Sequence, residues 1–425
     1  MSAKNSFMPM VIMGTLFFIF GFVTWLNGSL IPFLKIVCEL NEFEALFVTF
    51  AFYISYTVMA LPMAYVLQRT GYKDGMALGL GVMAVGALLF IPAAQSAEFI
   101  IFLIALFTLG TGLTILQSAS NPYIVHLGPI ESAATRISIM GIINKGAGVL
   151  APLVFSALVF LDVGSLDDMS EASRELLAQK LIVPYIVMAL ILIALIALIK
   201  FSSLENIVIK DDELGSEKNS IFEFPRLILG ATALFFYVGI EVIAGDTIAL
   251  YAQSLGVENY SSLTSFTMSF MVIGYIVGVI FIPKYISQKS ALVGSALFGI
   301  LFLLGVVFSS NSNMLSEILW GWSGIRTLPN TITFVALLGF ANALVWPTIW
   351  PLALNGLGRH TAKGSALLIM SIAGGALLPL LFGKIAQLSS NMQTTYLIGI
   401  ISYAFILYYA LVGHKISSWK NSDNA

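Results

Sequence analysis

The stretch LGTGLTILQSASNP, residues 109–122, has a counterpart in LGFANALVWPTIWP, residues 338–351. The leading Leu–Gly pair and the closing proline recur at the same interval in both stretches. Further along each half, GVLAPL at residues 148–153 parallels GALLPL at residues 375–380. Two matches in the same order, separated by about half the chain, predict a protein built from two related halves.

The chain has 425 residues, of which 58% are hydrophobic and 10% charged. Soluble domains carry about 25% charged residues, so water is not the main solvent of this chain. A bilayer core about 30 Å thick needs about 20 apolar residues per helix, and twelve such stretches follow one another here. We therefore predict an all-α membrane protein with twelve transmembrane helices in two six-helix bundles. The predicted spans are Met8–Leu34, Leu46–Gln68, Gly75–Ala94, Phe99–Val125, Arg136–Phe160, Leu181–Phe201, Leu227–Ser254, Leu263–Tyr285, Ala291–Ser309, Asn330–Gly356, Ala362–Leu388 and Thr395–Gly413.

The long, strongly charged stretch of residues 202–226 falls near the middle of the chain. It predicts a linker between an N-terminal bundle of residues 1–201 and a C-terminal bundle of residues 227–425. Lysine and arginine are divided unequally between alternate loops, with 14 on the side of the termini and the linker and 5 on the other. Because cytoplasmic loops carry the excess of positive charge, both termini and the linker are predicted to be cytoplasmic.

Charge and motif content disfavour several classes of function. A formal net charge of -2 without a concentrated basic face argues against a nucleic-acid partner. The single cysteine, Cys38, excludes an internal disulfide, and the dispersed His126, His360 and His414 do not suggest a metal site. GLGVMA at residues 79–84 matches a loose dinucleotide fingerprint, but it lies inside an apolar span with no strand before it. The chain is expected to be no enzyme and to need no cofactor other than a coupling cation.

Side-chain amides recur inside the predicted spans, and prolines concentrate in the first, fourth, fifth, tenth and eleventh spans. An amide buried in hydrocarbon is costly unless it is hydrogen-bonded, and its paired donor and acceptor suit sugar hydroxyls. Each amide could instead tie two helices together. As a set, the amides favour a path for a polar solute, and three tryptophans could stack on a sugar ring. The amides are Asn27, Gln117, Asn121, Asn144, Asn342 and Asn355, and the tryptophans are Trp25, Trp346 and Trp350.

Three ionisable residues lie deep in predicted spans, where a central charge costs roughly 2.5–3.5 kcal/mol on insertion scales. They are Glu241, Asp246 and Lys145. Asp246 follows Glu241 by five residues, about 140° round a helix, so the two carboxylates need not share a face. Lys145 could neutralise either one. A structural pair between the bundles and a role in ion coupling both remain open for these groups.

Several segments together resemble the major facilitator superfamily and, within it, the fucose and glucose/galactose symporter family. They are WLN at residues 25–27 with LIP at 30–32, LQSASNP at 116–122, YVGIEV at 237–242, WPTIW at 346–350 and SIAGGA at 371–376. The resemblance implies a monomeric importer in a bacterial inner membrane that takes up a monosaccharide together with a cation by alternating access. It places the sugar between the two bundles, near the middle of the lipid bilayer.

Two positions depart from the proton-coupled fucose carriers of this family. Those carriers have an acid directly after the first-span asparagine and another in the fourth span, where this chain has Gly28 and Gln117. Neither residue can exchange a proton, which disfavours proton coupling through these two positions. Gln117 and Glu241 instead resemble the glucose/galactose branch, some of whose members are sodium-driven, so hexose uptake is favoured and sodium is preferred weakly over a proton. Alternatives are a proton-coupled importer of fucose or another sugar, a major-facilitator-type exporter, and a sugar sensor that does not transport.

Overall fold

The computed structural model describes most of the chain, and the regular structure of the described residues is helical. Twelve helices are long and apolar enough to cross a membrane, so the predicted fold class is confirmed. One part of the predicted linker, residues 208–220, lies outside the described residues. The described ranges are residues 7–128, 133–159, 171–207, 221–282, 284–357 and 361–419.

The twelve spans, numbered α1 to α12, agree with the predicted ones to within a few residues at nearly every end. The largest differences are at α3, which begins ten residues earlier than predicted, at Tyr65, and at α6, which begins nine residues earlier, at Ala172. The spans are α1 Met8–Val37, α2 Glu42–Met63, α3 Tyr65–Ser96, α4 Phe99–Ile124, α5 Arg136–Val159, α6 Ala172–Phe201, α7 Pro225–Ser254, α8 Tyr260–Phe281, α9 Gln288–Phe308, α10 Asn330–Leu354, α11 Lys363–Ser389 and α12 Met392–Lys415.

Three spans are interrupted near their middles. In α1 the helix ends at Trp25 and resumes at Asn27. In α10 it ends at Asn342 and resumes at Val345, and in α11 a single 3₁₀ turn occupies Ser371–Ala373. An interrupted helix frees backbone polar groups, and at membrane depth these are tolerated only inside protein or beside a cavity. The breaks therefore mark parts of the spans that face the protein interior.

The prolines of the fourth and fifth spans do not interrupt their helices. Pro122 and Pro152 lie inside continuous helices. A proline removes one backbone donor and bends a helix without necessarily ending it. The helix that covers Phe47–Ser96 is instead kinked at Gly71, inside α3 as bounded above, where the φ of 74° is in the left-handed region.

The repeated Leu–Gly pair marks equivalent helix contacts in the two halves. A Cβ atom on Gly110 of α4 would lie 2.3 Å from the carbonyl oxygen of Phe52 in α2. A Cβ atom on Gly339 of α10 would lie 2.0 Å from the carbonyl oxygen of Thr267 in α8. Only glycine allows two helix backbones to approach so closely. The sequence repeat is therefore a repeat of packing geometry.

The first six spans pack mainly against one another, and so do the last six. Among the described residues, contacts between the halves include α5 with α8, α2 with α11, and α1 with both α7 and α8. We call the end of the molecule where α1 begins and α12 ends the terminal face, and the opposite end, where α1 meets α2, the far face.

One group of hydrogen bonds between the halves lies near the far face. The Ser29 hydroxyl donates to the Ser261 carbonyl at 2.5 Å, and the Ser261 hydroxyl lies 3.0 Å from that of Ser156. The Ser265 hydroxyl donates to the Val149 carbonyl at 2.7 Å. These contacts, which we call the far-face seam, hold the halves together in the arrangement described here.

Candidate functional site

An ion pair joins the two halves near the middle of the membrane spans. Lys145 Nζ in α5 lies 2.7 Å from Glu241 Oε1 in α7, and both residues are buried. The same ammonium group lies 4.4 Å from the ring centroid of Trp25 in α1. A carboxylate and an aromatic face both stabilise a desolvated cation. The structure thus selects Glu241, of the two acidic residues considered, as the partner of Lys145.

Asp246 occupies a different environment on the same helix. It is 0% exposed, and the Thr49 hydroxyl of α2 donates to its Oδ2 at 3.1 Å. Its Oδ1 is buried and has no hydrogen-bond partner among the described residues. Glu241 therefore faces α5 and Asp246 faces α2, in agreement with the predicted angle between them.

Buried donors without partners flank the breaks in α1 and α10. Trp25 Nε1 and Asn27 Nδ2 border the break in α1, and neither has a hydrogen-bond partner in the described ranges. Asn342 precedes the break in α10, where its Oδ1 accepts from the Tyr403 hydroxyl at 2.8 Å. Its Nδ2 is buried and likewise unpartnered within the described part of the chain. Such groups are costly to bury unless a ligand or water satisfies them.

The two breaks border one cluster of side chains. Trp25 of α1 belongs to one apolar cluster with Met268, Met271 and Tyr275 of α8 and with Ala343, which lies in the break of α10. This cluster, which draws on both halves, brings the interrupted parts of α1 and α10 to the same region of the interior.

Two of the remaining predicted amides tie helices together within the first half. Gln117 Nε2 donates to the Tyr56 hydroxyl at 3.1 Å, and Asn144 Nδ2 donates to the Phe17 carbonyl at 3.2 Å. These contacts match the alternative role of interhelical hydrogen bonding, and they leave the amide oxygens for other partners. Asn121 is partly exposed on α4, whereas Asn355 is exposed at the end of α10.

An aromatic stack lies on α10 beyond its break. The rings of Trp346 and Trp350 have centroids 5.3 Å apart and planes 28° apart. The ring centroid of Tyr237 in α7 lies 6.3 Å from that of Trp346. Both tryptophans are partly exposed, so one of their faces is available for stacking.

The glycine that follows Asn27 leaves no space for a side chain. A Cβ atom on Gly28 would lie 2.2 Å from Thr264 Oγ1 and 2.9 Å from the Gly245 carbonyl oxygen. That carbonyl accepts a hydrogen bond from Thr264 at 2.7 Å. The close approach of α1 to α7 and α8 therefore requires glycine at this position in the arrangement described.

The sequence analysis did not identify three hydroxyl side chains that hold predicted site residues in place. Thr49, Tyr56 and Tyr403 each hydrogen-bond a predicted site residue. No local signal singles them out, because hydroxyl side chains are common in apolar helices. Among the described residues no group of three or more histidine, cysteine, aspartate or glutamate side chains could hold a metal ion, and His360 lies outside those residues.

Comparison with known proteins gives consistent matches along the chain. Residues 13–378 match the Major Facilitator Superfamily. The chain is 33% identical to a glucose/galactose transporter of Brucella abortus biovar 1 (strain 9-941), covering 97% of this chain and 96% of that protein. It is 27% identical to the L-fucose-proton symporter of Escherichia coli (strain K12), covering 96% and 93%.

A likeness of fold accompanies these sequence matches. The crystal structure of the Major Facilitator Superfamily transporter FucP in the outward conformation superimposes with a TM-score of 0.72. The match covers 95% of this chain and 98% of that one, at 23% identity.

Proposed function

We propose that this chain, which belongs to the Major Facilitator Superfamily, imports a monosaccharide, glucose or galactose, together with a cation. The predicted family resemblance is confirmed, and so are the multi-pass membrane character and the expectation that the chain is a transporter and not an enzyme. We also propose that the protein is a monomer in a bacterial inner membrane with both termini in the cytoplasm.

The observation that carries the sugar proposal is the set of three buried donors beside the helix breaks: Trp25 Nε1, Asn27 Nδ2 and Asn342 Nδ2. Leaving a buried donor unsatisfied costs about 1–3 kcal/mol, and a sugar hydroxyl is an acceptor that would satisfy it. The stacked Trp346 and Trp350 offer an apolar surface for the sugar ring. The names of the relatives, a glucose/galactose transporter and an L-fucose-proton symporter, support the same class of passenger.

Cation coupling is proposed for the buried ionisable groups. The Lys145–Glu241 pair connects the halves, and Asp246 meets Thr49 across them, so both contacts change if the halves rock relative to each other. Binding of a cation would alter the charge balance at these contacts and thereby the preference for one arrangement over another. Gln117, Asn121 and Asn144 remain proposed sugar contacts beside their structural roles.

Uptake of labelled sugar into proteoliposomes tests this function. We expect glucose or galactose to accumulate when a sodium or proton gradient is imposed, and Glu241→Gln to abolish gradient-driven accumulation. Unchanged accumulation by Glu241→Gln would remove that residue as a coupling group. Uptake of fucose alone, outward movement of amphiphiles, or binding without turnover would favour the fucose importer, the exporter or the sensor, respectively.

Asn27→Ala should weaken binding of the transported sugar roughly fivefold, because a typical neutral hydrogen bond contributes about 1 kcal/mol. Titration of purified protein with the sugar, followed by calorimetry, measures the change. Asn355→Ala is the matched control, since that amide is exposed at the end of α10. Equal affinities for Asn27→Ala and the unaltered protein would exclude Asn27 as a sugar contact.

A further inference from the structure

We infer that Asp246 carries the coupling cation, and that this cation is a proton bound to the carboxyl group while the far-face seam is closed. The inference deepens the proposed function and rests on it for the passenger. It differs from the weak preference for sodium that the family resemblance gave.

The surroundings of Asp246 contain no positive charge to balance a carboxylate. In the described part of the chain, Asp246 forms no ion pair, and its one hydrogen bond is with Thr49 of α2. Glu241 on its own helix is acidic and is already paired with Lys145. A buried carboxylate with one hydroxyl partner and no countercharge is strongly disfavoured, so the neutral carboxyl is the form that fits.

Other titratable groups near α7 do not change this balance. Tyr53 of α2 interacts with Asp246 and is itself buried and neutral, and Tyr396 of α12 hydrogen-bonds Thr247 at 2.7 Å. Lys35 of α1 and Lys384 of α11 lie near the far face and contact other groups: Lys35 is 3.8 Å from Glu42, and Lys384 lies 5.2 Å over the Phe43 ring. Lys363 of α11 and Lys415 of α12 lie at the terminal-face ends of their spans.

A proton suits the observed ligands better than a sodium ion does. A hard cation needs several oxygen ligands at once, whereas Asp246 meets one hydroxyl oxygen among the described residues. A proton needs only one carboxyl oxygen. The 3.1 Å separation between Asp246 Oδ2 and Thr49 Oγ1 fits a hydrogen bond in which either oxygen carries the proton.

The location of Asp246 links its proton to the opening of the seam. Thr49 belongs to the first half and Asp246 to the second, and the residue before Asp246, Gly245, is packed against Trp25 and Thr264. Parting the halves at the far face would remove the Thr49 contact and admit water, which stabilises the ionised carboxylate. The carboxyl group can then exchange its proton with the solution at the far face. Release of the proton toward the terminal face takes place in another state of the cycle.

The direction of the pH effect follows from proton counting. The closed seam holds one more proton, on Asp246, than the open seam does. Raising the pH therefore favours the open seam, and lowering the pH favours the closed one. Asn has the shape of a protonated Asp and cannot ionise, so in Asp246→Asn the balance between the open and closed seam should not change with pH.

Spin-label distances across the far face test the inference without any sugar. The full chain with Cys38→Ser, Gln95→Cys and Gln387→Cys carries one label at the far-face end of α3 and one at that of α11, both exposed. In lipid nanodiscs we expect longer distances to become more populated as the pH rises, and Asp246→Asn to abolish this change. Glu258→Gln, which alters an exposed carboxylate near the same face, should keep it.

Two results of the label experiment would overturn the inference. One is an unchanged pH response in Asp246→Asn. The other is a shift produced by sodium at constant pH that is lost in Asp246→Asn, since this would assign sodium to the site.

Transport measurements separate this inference from the proposed function. In proteoliposomes, Asp246→Asn should lose accumulation driven by a proton gradient and keep exchange of sugar across the membrane. If the unaltered protein transports none of the sugars, the proposed function fails, while the label distances still decide the role of Asp246. If it transports them and Asp246→Asn accumulates them as well as the unaltered protein does, only the inference fails.

Discussion

Lys145 forms an ion pair that connects the two halves. Its ammonium group contacts Glu241 of the other half and the Trp25 ring of its own half. Burying both ions costs desolvation energy that their attraction offsets only when the geometry is good, so the pair contributes little net stability. Removing one partner is different, because the other is left as an uncompensated buried charge.

Lys145→Met should therefore lower stability by about 3–5 kcal/mol, the range for breaking a buried ion pair. The unfolding temperature of the purified protein, followed by intrinsic fluorescence, measures this loss. The double variant Lys145→Met with Glu241→Gln should recover much of it, because neither charge then remains. Lys384→Met, at an exposed lysine, serves as the control. Additive losses in the double variant would contradict the pairing.

At the scale of helices, the interrupted spans and the close helix contacts at glycines have different roles. The breaks in α1 and α10 bring unpartnered donors to a common interior region, whereas the repeated glycines fix how α4 packs on α2 and α10 packs on α8. Side-chain packing and close backbone approach drive helix association in lipid, since burial of apolar surface contributes little there. An added methyl group at such a contact should therefore destabilise the packing of the two helices.

Gly110→Ala and Gly339→Ala should each destabilise the protein by about 1–3 kcal/mol, the usual cost of overpacking. In both variants the added Cβ atom meets a carbonyl oxygen at 2.0–2.3 Å. Thermal unfolding of the two variants gives the measurement. Gly146→Ala is the matched control, because nothing lies within 4 Å of the added atom and alanine favours the helix. Equal unfolding temperatures in all three variants would show that the close contacts are unimportant.

At the scale of the whole molecule, the far-face seam defines which side of the protein is closed. Its hydrogen bonds link residues that are far apart in sequence, 232 residues for Ser29 and Ser261 and 105 for Ser156 and Ser261. An alternating-access cycle has to break these contacts and make them again in every turnover. A covalent link across the seam should hold the protein in the closed arrangement.

The double variant Ser156→Cys with Ser261→Cys, in a Cys38→Ser background, should form a disulfide under mild oxidation. The two hydroxyl oxygens lie 3.0 Å apart, so the side chains are close enough for a sulfur–sulfur bond after small adjustments. Oxidation should stop uptake of labelled sugar, and a reducing agent should restore it. Full uptake by the oxidised, cross-linked protein would show that the seam does not open during transport.

The sequence by itself determined the twelve spans, because lipid imposes its requirement on each run of about 20 residues separately. It also determined the family, through motifs that can be read along the chain. It also identified Glu241, Asp246 and Lys145, since charges in apolar spans are conspicuous. Only the tertiary structure decided that Lys145 pairs with Glu241, 96 residues away, and that Thr49 meets Asp246, 197 residues away. Hydropathy is a local property of the chain, whereas a partner is chosen by distance in three dimensions.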